Sequence, residues 1–114
     1  MTKDALATIA ARPASAAVYA QLIDGLRALG EYGIEAKQGS VHITRGSAFL
    51  GVHPRSKGLV LNIVSDAPIT SARVRRSEQL SPRRSHNEVL VTEPAQLDEE
   101  LWGWIRDAYR RASR

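Results

Sequence analysis

Residues 34–64 read IEAKQGSVHITRGSAFLGVHPRSKGLVLNIV, four short apolar runs separated by three tight connections, and this spacing decides the fold. Ile34 and Ala36 alternate with polar residues, and Val41, Ile43 and Arg45 continue the period of two. Gln38-Gly39 between them has the composition of a hairpin turn. Arg45-Gly46-Ser47 leads into AFLGVH. Pro54-Arg55-Ser56-Lys57-Gly58 leads into LVLNIV, whose β-branched and leucine content suits an interior strand. Strands joined in succession by such short turns pair antiparallel, so the stretch predicts a meander.

Outward from the meander the period lengthens on both sides. From Ala14 to Leu29, Val18, Leu22, Leu26 and Leu29 recur at helical spacing, with Tyr19 and Ile23 widening the apolar face. Pro13 suits the first helical turn, where its missing N–H costs nothing, and Gly30 suits a left-handed exit. The first twelve residues are read as a short helical turn or a frayed segment, with Thr2 and Asp4 as available caps. At the other end Leu97, Leu101, Trp104, Ile105 and Ala108 predict a helix from about Asp98 to Arg111. Asp98 can cap it, with Glu99 and Glu100 at its positive end and Arg110 and Arg111 at its negative end. Gly103 inside it marks either close packing or a tolerated weakness. NEVLVT, residues 87–92, is a further strand. The expected architecture is α+β in two layers: a four- to five-stranded antiparallel sheet with an N-terminal and a C-terminal helix on one face. Residues 13–114 then form one domain.

Between the fourth run and NEVLVT lies RVRRSEQLSPRRSH, residues 73–86, a long basic connection. It holds five arginines against one acid, Glu78, a balance equal to the formal net charge of +4 for the whole chain. Charge gathered into one connection implies a field aimed at something anionic. Guanidinium forks bind phosphate and carboxylate oxygens in pairs. The candidate anion-binding set is Arg55, Lys57, Arg73, Arg83, Arg84 and His86. Against it stands pairing of these arginines with Glu78, Glu88 and Asp66 on a solvated face. No aromatic residue interleaves the cluster, so base-stacking platforms are not indicated.

Other chemistry has little foothold. The chain has no cysteine, which removes disulfides, thiolate metal sites and cysteine nucleophiles and suits a reducing, cytoplasmic setting. An apolar content of 43% with 25% charged residues suits a folded globular domain, and no apolar run approaches the roughly eighteen residues of a membrane span. No phosphate-cradling glycine motif is present, and neither a cofactor nor a metal is implied. The histidines His42, His53 and His86 match no ligand spacing. His42 alternates with Val41 and Ile43 and belongs on the polar face of its strand, His53 reads as a turn residue, and His86 opens a strand beside the basic run. Ser81 and Ser85 lie near His86 without an orienting acid, so no catalytic residue is assigned. Trp102 and Tyr109 fall off the centre of the last helical stripe, where they either widen the core or form an interaction surface.

The order of these pieces resembles the small prokaryotic family known as domain of unknown function 5655. The matching segments are VYAQLIDGLRALG, the strand pair from Arg45 through Phe49 to PRSKGLVLNIV, LSPRRSH, and DEELWGWIRDAY, covering nearly all of the chain after residue 10. The resemblance implies a compact α+β domain with no established activity. It also implies a recurring arginine, histidine and Ala-Tyr pair, which fall here on Arg73, His86 and Ala108-Tyr109. The residues favour a non-enzymatic binding module for an anionic partner, either nucleic acid or a small phosphate or carboxylate ligand. The alternatives are a protein-interaction or homodimerisation domain working through Trp102 and Tyr109 and, behind that, a small enzyme using His86 as an acid or base.

Overall fold

In the computed structural model, which describes residues 4–113, the helical and alternating patterns sort into three α-helices and one six-stranded antiparallel sheet. Helix α1 (Ala5–Ala11) starts at Asp4, whose side chain accepts from the Ala7 N–H at 3.0 Å, and it buries Ala5 and Ile9. Of the two readings of this segment, a short helical turn or a frayed end, the helical one describes Ala5–Ala11. Pro13 opens helix α2 (Pro13–Arg27), which buries Val18, Leu22 and Leu26. Gly30 leaves the helix with a φ of 133°, a left-handed conformation that favours glycine.

Strands β1 (Gly33–Ala36), β2 (Val41–Arg45), β3 (Ser47–Arg55) and β4 (Gly58–Ser65) follow as consecutive antiparallel neighbours, the expected meander. The basic connection is not a loop. Residues 74–81 form strand β5 (Val74–Ser81), which pairs with β6 (Arg84–Val91), and β6 inserts between β4 and β5 to give the order β1-β2-β3-β4-β6-β5. The sheet therefore has six strands rather than four or five. β5 escapes a periodicity search because all but its first residue are exposed, so neither face carries an apolar alternation.

Alternation assigns the faces. Val41, Ile43, Leu50, Val52, Leu59, Leu61, Ile63, Val89 and Val91 join Val18, Leu22 and Leu26 of α2 and, from helix α3 (Glu99–Ala112), Leu101, Ile105 and Ala108 in one buried cluster. The open face carries the intervening residues. Asp98 caps α3 by accepting from the Leu101 N–H at 3.1 Å. Gly103 has nothing within 4 Å of where a Cβ would stand, so it is tolerated rather than required. Gly25 is required, because a Cβ there would overlap the Trp102 ring where α3 meets α2. Asn87, fully buried on the helix side of β6, satisfies its whole amide. Nδ2 donates to Ile63 O and Ser65 Oγ, both at 2.8 Å, and Oδ1 accepts from Ile69 N at 2.9 Å and Ser77 Oγ at 2.7 Å. One residue thereby ties β4, the crossover and β5 together. No helix among the described residues is long and apolar enough to cross a membrane.

Candidate functional site

On the open face the register aligns His42 with Gly51, Gly51 with Asn62 and Asn62 with Glu88, across β2, β3, β4 and β6. One period along β3, His53 faces Val60, and on the other side Val64 faces His86. All three histidines thus share one surface. Val60 and Val64 are buried on this face although they lie outside the helix-side core, because His53, Leu90 and His86 flank them. Gly51 lacks a side chain at the centre of the row. The His53 ring leans over it, with Nε2 3.3 Å from where a Cβ would be. The result is a hollow of about 190 Å³ whose lining includes His42, His53, Asn62, Arg84 and His86.

The polar contacts converge on His86. Arg84 donates from Nε to His86 Nε2 at 3.3 Å, and the Asn62 amide approaches His86 Nδ1 at 3.4 Å. His42 Nε2 is 3.4 Å from Ser40 Oγ. Burial first, and then the neighbouring Arg84 charge, hold the His86 imidazole below its usual range. Burial and then Arg55 do the same for His53. Both rings are therefore held toward the neutral form. No group of three or more His, Cys, Asp or Glu among the described residues is arranged to hold a metal ion.

The six residues of the candidate anion set do not meet in one place. Arg84 and His86 adjoin in the hollow, with Arg83 next to them at the β5–β6 turn. Arg55 follows His53 on the open face but turns its guanidinium back to Pro54 O at 2.9 Å. Lys57 lies in the β3–β4 turn. The β4–β6 ladder runs from Leu59↔Val91 to Ser65↔Ser85, so that turn and Arg83 lie at opposite ends of the sheet, about 20 Å apart at roughly 3.3 Å per residue. Arg73 serves the fold: it donates to Asp98 at 2.7 Å, to Glu100 at 3.3 Å and to Gln96 O at 2.6 Å, fastening the start of β5 to the start of α3. At the far end of α3, Arg111 bonds Asp66 at 2.7 Å and Arg83 O at 2.6 Å. Arg75 pairs with Glu88 and Arg76 with Glu78, each at 3.6 Å.

One further expectation needs correction, that of His53 as a turn residue. His53 is a strand residue within β3, since the strand continues through Pro54 to Arg55. Ser85 is fully buried on the helix face, opposite His86, so the two cannot cooperate. Tyr109 is 7% exposed: its hydroxyl donates to Glu31 O at 2.9 Å, its ring meets Phe49 edge-on at 5.4 Å, and Arg45 lies 4.5 Å above it. Together with the partly buried Trp102 against Gly25 it belongs to the packing of α3. The hollow also draws in Gly51, Asn62, His42 and His53, which the sequence does not group. Period-two alternation places each on its strand's polar side, but only the register between strands brings them together.

A family model described as Domain of unknown function (DUF5655) matches residues 5–112. No curated protein and no solved structure matches the chain. Of the residues recurring in the resemblance, Arg73 and Ala108-Tyr109 lie in the packing of α3, whereas His86 lies in the hollow.

Proposed function

We propose that this chain, which belongs to the family of the Domain of unknown function (DUF5655), is a binding module for a small anionic ligand held by Arg84 in the open-face hollow that His86 and Asn62 help to line. One observation carries the reading: Arg84 lines the hollow with no carboxylate partner among the described residues, whereas Arg73, Arg75, Arg76 and Arg111 are each engaged by acids. A free guanidinium beside neutral imidazoles and an amide is a recognition surface for oxyanions. A small ligand is favoured over nucleic acid because the remaining cations are dispersed to two ends of the sheet and Glu78 and Glu88 share the open face, so no continuous track follows a phosphate backbone. The cysteine-free composition supports a cytoplasmic setting.

Calorimetric titration with inorganic phosphate, acetate and a single-stranded oligonucleotide at two salt concentrations tests the proposal. A bare small ion is expected to bind with a Kd on the order of 1 mM, equivalent to about 4 kcal/mol, and Arg84→Ala is expected to abolish that binding. Unchanged affinity in Arg84→Ala, or tight oligonucleotide binding with a salt slope of several phosphates, would refute it.

A further inference from the structure

We infer that His86 is held as the neutral Nδ1–H tautomer between Asn62 and Arg84, and that it thereby turns the terminal nitrogens of Arg84 toward one ligand presenting two acceptor oxygens, a carboxylate or a phosphate-type group. The inference deepens the proposed binding function and rests on it for the ligand.

Hydrogen-bond valence carries the tautomer. A neutral imidazole has one donor nitrogen and one acceptor nitrogen. Arg84 has only N–H donors, and its Nε stands 3.3 Å from His86 Nε2, so Nε2 must be the acceptor and Nδ1 must carry the proton. The group facing Nδ1 then has to be an acceptor. Asn62 presents Nδ2 there, at 3.4 Å, while its Oδ1 is buried with no partner. The conflict at Nδ1 ends with a half-turn of the amide, which exchanges two groups of nearly equal shape. Oδ1 then accepts from Nδ1–H, and Nδ2 takes the place of the orphaned oxygen.

With its Nε tied back to His86, Arg84 keeps two terminal nitrogens without a partner among the described residues. They lie in one plane as a donor fork, which suits paired oxygens rather than a cation. His86 touches the ligand's donors and not the ligand, so it is a positioning residue. The charged and titratable groups around it are Arg84, Glu78 and Arg111, and Glu78 is drawn aside by Arg76.

The free protein, labelled with nitrogen-15, gives the first test through long-range nitrogen–proton correlations of the His86 ring at neutral pH. The expected result is a protonated Nδ1 and an unprotonated Nε2; a protonated Nε2 would overturn the inference whatever the protein binds. The second test titrates acetate and inorganic phosphate into wild type, His86→Phe and His86→Gln. His86→Phe keeps a ring and loses both polar atoms, so affinity is expected to fall about tenfold, the equivalent of one charge-assisted hydrogen bond. His86→Gln restores an acceptor for Arg84 and is expected to recover most of the loss. Equal binding by wild type and His86→Phe would overturn the positioning role. Binding of only one probe identifies the oxygen source and supports the inference. An Nδ1–H tautomer with neither probe bound would overturn the ligand class and the proposed function while leaving the tautomer established.

Discussion

Asn87 concentrates more of the fold than any other polar side chain described, because four hydrogen bonds to Ile63, Ser65, Ile69 and Ser77 meet on one buried amide. Asn87→Ala strands those partners in a dry environment, and a loss of about 3 kcal/mol is expected from the urea midpoint. The histidines set a different dependence. His53 and His86 titrate below 6.5 in the folded chain, so the unfolded chain takes up protons first as the pH falls. Stability is therefore full above about pH 6.5 and declines below it. The groups facing them are Arg55, Glu88 and His42 for His53, and Arg84, Glu78 and Arg111 for His86. Urea midpoints followed downward through about pH 6 should fall in the wild type and stay flatter in a His53→Gln, His86→Gln double variant; equal slopes would contradict the assignment. Arg84 and His86 were legible in the sequence as neighbours in a basic run. Asn62 and Gly51 were not, since an asparagine in an apolar strand and a glycine before a valine acquire meaning only from the residues opposite them.

At the scale of elements, α3 is fastened by Arg73 at its start and by Arg111 at its end, while its middle contains a glycine with open space around it. Gly103→Ala should raise stability by about 0.5–1 kcal/mol, since only backbone freedom is removed. Gly25→Ala should lower it, because the methyl group meets the Trp102 ring. Thermal unfolding of the two variants distinguishes them by sign. Arg73→Met should cost about 1 kcal/mol or less, the usual worth of half-exposed ion pairs, and leave anion binding unchanged. Loss of binding in that variant would return Arg73 to the site. The meander, both long helices and the Asp98 cap follow from period and punctuation in the sequence. β5 does not, because VRRSEQLS has no buried face to impose a pattern; its pairing partner β6 and the Asn87 hub specify it instead.

For the whole molecule, buried residues of the helices and of alternating strand positions form one cluster, and the intervening strand positions carry a few histidines, an asparagine, an arginine and two valines that their neighbours bury. The excess of positive charge, which the sequence concentrates in one segment, is spread by the fold along an edge strand and largely neutralised by Asp98, Glu100, Glu88 and Glu78. Arg84 in the hollow and Arg55 farther along the open face keep no acid partner among the described residues, and so short a run of charge suits a small oxyanion better than a polymer. The most direct measurement is a nuclear magnetic resonance titration with inorganic phosphate that follows the side chains of Arg84, Asn62, His42, His53 and His86. Shifts confined to this group, saturating and absent in Arg84→Ala, are the expected result. Shifts centred on Arg55 and Lys57, or none at the hollow at saturating phosphate, would contradict a binding site on the open face.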